Sequence, residues 1–423
     1  MSAWDTAAAA HLLNRAGFGA SRGTLERAVR RGREATLDDL FNRREHDQML
    51  MRGIRPMLAL EQIESLQAWW MALILRDRAP LVERVALMWH DHFATSNDKV
   101  NDVRLMHAQI QLFREQGLGD FRHLMHAVAT DPAMLVWLDG NANKAGHPNE
   151  NFAREVLELF CLGIGNYTEG DIQEAARAFS GWGVDGRAFV FREQYHDKGV
   201  KQLFGRKGHL GGTEAIDAIL EHPACARHVA RKLLEEFTVP HPTDELVAEW
   251  AAILVEVDWS IEDTLSRLLR SELFDSPAVR GSRIAGPVEL VARTVLALEA
   301  KIAPRDAARA AEEMGQSLLR PPSVKGWDGG RTWIHTGSWL ARHNHLSKLA
   351  AAGGEQVDLG QALGQPSSAR EVPQAALAVL LPAGAPAAFR SVLDDAAAAA
   401  PDLDEALRRV TALILTAPEY HLI

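Results

Sequence analysis

Cysteine is nearly absent from this chain. Its 423 residues include only Cys161 and Cys225, which excludes a disulfide framework and a cysteine-based zinc motif. Both lie in apolar helical patterns, ELFCLG and PACARHV, and are read as two buried thiols rather than a disulfide. Long apolar runs are missing as well. The most apolar stretch, Ala68 to Leu75, falls far short of the about 20 residues that span a bilayer. The opening MSAWDTAAAAHLLNRAGFG has neither a basic n-region nor a long apolar h-region, and no twin-arginine motif precedes an apolar stretch. The expected location is therefore the cytoplasm, unless an upstream leader was removed. Basic charge is in deficit, with 46 Lys and Arg against 56 Asp and Glu and a net charge of −10. That argues against a nucleic-acid partner and leaves a small molecule or a protein. The P-loop, GxGxxG and GxSxG patterns are also missing.

What is present is apolar residues at 47% and a helical period along most of the chain. The expected fold is all-α, a multi-helix globular protein with one short β-hairpin near 187–204. In that hairpin Ala188–Phe191 would pair with Val200–Phe204 across a turn at Asp197-Lys198-Gly199. Ile63–Arg76, Leu81–Phe93, Val103–Gln116, Asn151–Leu162 and Pro223–Phe237 are among the expected helices. Ser21 and Thr168 read as helix caps. Residues 1–352 read as the main helical domain and 353–368 as a linker. Residues 369–423 read as Ala-rich helices packed on the main domain.

Several polar clusters are candidate sites. The loop DGNANKAGHPNE places Asp139, Asn141, Asn143 and Glu150 at positions one, three, five and twelve, as in an EF-hand calcium loop. Lys144 stands where that loop needs glycine, and Gly146 where an apolar residue is usual. The alternative is a polar corner in which Asn149 caps the next helix. On that helix Asn151, Glu155 and Glu158 fall within about 60° at ~100° per residue. They are either metal or acid–base groups, or a solvated helix face. His90 and His92 diverge on a regular helix and would share an ion only if the helix ends there. Otherwise His92 is a core histidine packed on Trp89. Tyr195-His196-Asp197 supplies either a His–Asp pair or ordinary turn chemistry. Gly326-Trp327-Asp328-Gly329-Gly330 reads as an adaptable pocket wall.

Blocks of sequence carry a wider resemblance. They are HLLNRAGFG at the start, MWHDHFATS at Met88–Ser96, and LDGNANKAGHPNENFAREVLELFCLGIGNYTEGDIQEAARAFSGW at Leu138–Trp182. YHDKGVKQLFGRKG, HPACARHVARKLLEEF, PPSVKGWDGGRTWI and a closing TAPEY follow. Over nearly its whole length the chain resembles the bacterial family catalogued as domain of unknown function 1800. That resemblance implies no activity, so chemistry is read from the residues.

The expected function is a metal-dependent, hydrolase-type enzyme. A divalent metal such as zinc, manganese or iron would be held by His90, His92 and carboxylates and would activate water. Calcium at Asp139–Glu150 is the lesser option. Glu155, Glu158, His196 and Asp197 are the candidate catalytic groups. The alternative is a non-enzymatic helical binding or assembly protein with a structural cation site, its eleven tryptophans supplying core and interface mass. A third class is a metal-free enzyme, including carboxylate-pair glycosidase chemistry.

Overall fold

The computed structural model describes residues 4–42, 54, 58–59, 61–76, 78–352 and 356–423. The protein is predominantly α-helical, and two short antiparallel two-stranded sheets are its only sheets among the described residues. At the centre lie the helices Ile63–Arg76 and Pro80–His92. Pro80 occupies the first turn of the second, where its missing N–H costs nothing. From Leu81 to His90 every residue of that helix is buried. A helix buried all round has no solvent face, so its polar residues Glu83, Arg84 and His90 must find partners inside.

Local signals set many helix ends. The Ser21 hydroxyl accepts from Thr24 N–H at 3.3 Å. Thr168 and Asp171 form a reciprocal capping box at the start of Glu169–Phe179. Asn151–Leu162 is helical but not uniform. Asn151–Glu155 is α, and Val156–Leu162 is π, a wider turn with i→i+5 bonding. Gly163 ends it with a positive φ of 77°.

The β-structure differs in detail from the expected pairing. Strand β1 (Trp182–Asp185) pairs with β2 (Ala188–Phe191), and β3 (Lys201–Leu203) pairs with β4 (Arg206–Gly208). Each pair closes through a two-residue turn, Gly186-Arg187 or Phe204-Gly205. Gly186, Phe204 and Gly205 all carry the positive φ that such turns require. Asp197-Lys198-Gly199 is instead a loop between the hairpins, where Asp197 Oδ1 accepts from Gly199 N–H at 2.8 Å.

Of the expected linker 353–368, residues 353–355 lie outside the described residues. The rest contains the helix Leu359–Ala362, with Val357, Leu359 and Ala362 buried. The C-terminal helix Leu403–Thr416 lies against Thr336–Ala351. Arg293 fixes the chain end by donating to the carbonyls of Leu380, Tyr420 and Leu422 at 3.0–3.1 Å.

The hairpin side of the fold is tightly fitted. A Cβ at Gly212 would run into the Trp182 indole. Gly212→Ala should therefore destabilise by about 1–3 kcal/mol, as overpacking does. A urea melt reads this, and an unchanged midpoint would show that the indole moves aside freely.

Candidate functional site

Asp139, Asn141, Asn143 and Glu150 of the loop each accept from a protein donor. Asp139 accepts from Lys99 Nζ at 2.8 Å. Asn141 Oδ1 accepts from Val184 N–H and Arg192 at 2.9 and 3.0 Å. Buried Asn143 donates to the Ala176 carbonyl and accepts from Asn149 N–H. Asn149 in turn accepts from Asn151 N–H at 2.9 Å, and Glu150 pairs with Arg154. The loop is a corner that docks the first hairpin. Its side chains point to separate neighbours rather than to one centre.

The two histidines of His90-Asp91-His92 are both buried and turn to different sides. His90 lies between Trp70 and Trp327, and its Nε2 accepts from Leu319 N–H at 3.1 Å. Burial lowers its pKa to about 3, which keeps the ring neutral and able to accept. His92 packs on Trp89 and Phe93, and its Nε2–H donates to the Phe160 carbonyl at 3.0 Å. His228 packs beside it and donates to the Leu159 carbonyl at 2.8 Å. Two neutral imidazoles thus satisfy carbonyls at the end of the π segment, where the backbone ladder runs out.

The remaining expected groups sit elsewhere. His196 Nδ1–H donates to the Ser180 carbonyl, and Asp197 pairs with Arg177 at 2.8 Å. Glu158 accepts from the Tyr167 hydroxyl. Glu155 is half-buried; desolvation and the Glu158 charge raise its pKa. Among the described residues no three His, Cys, Asp or Glu side chains are grouped so as to hold a metal ion. A groove of about 390 Å³ lies between the start of Glu169–Phe179 and the second hairpin. Its carboxylates, Asp171 and Glu174, are already engaged by Thr168, Arg177 and Gln202 N–H.

Charge converges at Asp91 instead. Arg84 and Asp91 are seven residues apart on Pro80–His92 and so share a face. His228, Lys232 and Glu236 recur at i, i+4 and i+8 on Pro223–Phe237. Below Asp91 lies a closed ring of ions. Glu236 meets Arg84 at 2.8 Å and Arg283 at 2.6 Å. Glu289 meets the same two guanidinium groups. Its other oxygen accepts from Gly286 N–H at the start of Pro287–Ala297. Arg15 stands beside the ring, donating to Val279 O and Ser282 Oγ at 2.8 Å. Burial and the neighbouring Arg283 and Arg84 lower its pKa to about 9.

The Gly326-Trp327 turn closes over Asp91. Trp327 N–H donates to Asp91 Oδ1 at 2.8 Å, and a Cβ at Gly326 would strike that carboxylate. Gly326 also has a φ of +83°, so glycine is required twice over. Desolvation raises the Asp91 pKa to about 7 against the opposing Trp327 hydrogen bond and the charge of Lys232. Desolvation likewise raises Glu235, which lies 3.8 Å from Lys232. For Glu289, burial alone would raise the pKa, but Arg283 and Arg84 outweigh it and hold the group ionised. Sequence reasoning met Asp91 only as the middle of His90-Asp91-His92 and gave it no role, and Lys232, Glu236, Arg283 and Glu289 were not singled out. The i, i+4, i+8 recurrence of His228, Lys232 and Glu236 on that amphipathic helix was the available signal.

Two outcomes separate this centre from the expected one. Glu289→Ala should cost about 3–5 kcal/mol, because it strands Arg84 and Arg283. Glu155→Ala, which relieves a like-charge neighbour, should stay within about 0.5 kcal/mol. Equal urea midpoints for the two variants would contradict the assignment. The Asp91 shift also has a pH signature. A carboxyl raised from 3.8 to about 7 contributes stability at low pH that is lost as pH rises through 7. Asp91→Asn should therefore gain stability relative to the parent between pH 4 and 8, and a flat difference would refute the shift.

Comparison with curated proteins and with solved structures finds no match. Residues 11–422 match the family described as protein of unknown function (DUF1800), and with nearly the whole length covered the chain belongs to that family.

Proposed function

We propose that this chain is an acid–base enzyme of the hydrolase class in which Asp91 transfers the proton. One observation carries the proposal. A carboxyl with a pKa of about 7 sits at the end of a buried helix, with Lys232 and Arg283 in electrostatic reach, where three sequence segments meet. Such a group takes up and returns a proton at neutral pH. In a hydrolytic step Asp91 would accept a proton from the attacking water and return it to the leaving group. Lys232 and Arg283 would stabilise the negative charge that develops on the substrate.

The metal-activated version would require His and carboxylate ligands around zinc, manganese or iron. It has no grouped ligand set among the described residues, so proton transfer at Asp91 is the form put forward. A small polar molecule is the proposed substrate. A cytoplasmic setting is proposed with it, and the two free thiols suit a reducing compartment. No helix among the described residues is long and apolar enough to cross a membrane.

The test is a panel of chromogenic ester, amide, phosphate and glycoside substrates between pH 5 and 9. Turnover should follow a limb near pH 7 and fall by roughly 10²-fold or more in Asp91→Asn, the usual scale of general acid–base catalysis. The variant's fold is checked by circular dichroism. No turnover across the panel, or turnover indifferent to Asp91→Asn, would reject the proposal.

A further inference from the structure

The only two cysteines of the chain are 64 positions apart in sequence, yet the elements that carry them pack together. Cys161 lies near the end of the π segment Val156–Leu162, and Cys225 lies in the first turn of Pro223–Phe237. These two elements pack together, and the two buried thiols are close enough to influence each other electrostatically. Neither sulfur-bearing residue is exposed. We propose that Cys161 and Cys225 form an oxidisable dithiol that closes to an intramolecular disulfide, a modification site that ties the π segment to the helix carrying His228, Lys232 and Glu236.

Both thiols are fully buried but sit at element ends, within three residues of an exposed position. Cys161 is two residues before Gly163, which is followed by Ile164 at 79% exposure. Cys225 is three residues after the capping His222. Fraying of these ends gives a small oxidant its access. Burial keeps the Cys161 thiol far above its ordinary pKa, so it is un-ionised and inert until the end opens. The co-reactant is a two-electron thiol oxidant such as a diazene or a small disulfide. With a diazene, one thiolate adds to the N=N bond. The second thiol then displaces the hydrazine, so that two S–H bonds are lost, one S–S bond forms and the N=N takes up two protons and two electrons. The bond would close a loop of about 65 residues and so restrict the unfolded chain.

The experiment treats the full chain with diamide in buffer and in sub-denaturing urea. Free thiols are then counted in denaturant, and the alkylated protein is mapped under non-reducing conditions. The expected result is the loss of both thiols in monomeric protein and a Cys161–Cys225 cross-linked peptide. The melting temperature should rise by roughly 2–5 °C, reversibly with dithiothreitol. Cys161→Ser and Cys225→Ala should each abolish the shift; if either misfolds, the peptide map of the parent chain alone decides. Two thiols still free after oxidation in urea, or cross-links only between chains, would overturn the proposal.

Discussion

Two carboxylates inside this protein each hold the same two guanidinium groups. Removing any one member of the Arg84–Glu236–Arg283–Glu289 ring leaves an uncompensated charge in a place that water reaches poorly. The four side chains come from the Pro80–His92 helix, the Pro223–Phe237 helix, the segment ahead of Pro287, and the helix that Pro287 begins. Their mutual geometry therefore fixes how these elements sit against one another. Arg15 adds the first helix, and the Phe18 ring lies 5.8 Å from the Arg84 guanidinium. Hydrophobic packing would tolerate small slides between these helices. Buried ion pairs, of which those of Arg283 are also hydrogen-bonded, tolerate them far less.

This constraint positions Asp91. Two turns along the same face from Arg84, it reaches the rim of the ring, where Lys232 arrives from the neighbouring helix and the Gly326-Trp327 turn descends. The ring neutralises the stronger charges below it. Asp91 is left with one backbone donor and a desolvated setting, and its proton affinity rises. The neutral pair His92 and His228 completes the floor. By donating to Phe160 and Leu159 they hold the π segment that carries Cys161.

Much of the fold was legible because it rests on local rules. Thr168 with Asp171, Ser21, and the apolar period of Ile63–Arg76 and Pro223–Phe237 each depend on neighbours within a few positions. The strand pairing was misread because the loop Asp197-Lys198-Gly199 looked like the turn. The true two-residue turns lay at Gly186-Arg187, where the glycine follows Asp185, and at Phe204-Gly205, where a non-glycine residue adopts a positive φ. The shared face of the Asn151 carboxamide and the Glu155 and Glu158 carboxylates assumed regular α spacing, and the π turn that begins at Val156 breaks it. The site itself was hidden for a different reason. Arg84 is 199 positions of chain away from Arg283, and ion pairs at that separation leave no periodic trace in either segment. What sequence did show was polar residues on helices with no wet face, and those are the residues that meet.

The state of the Asp91 carboxyl tests this account most directly. With ¹³C-labelled aspartate, the infrared difference between the parent chain and Asp91→Asn isolates that one group. The account predicts a protonated-carboxyl band at pH 6 that disappears with a midpoint of about 7. A band already lost by pH 5 would mean that Asp91 is an ordinary ionised surface carboxylate, and the central claim would fail.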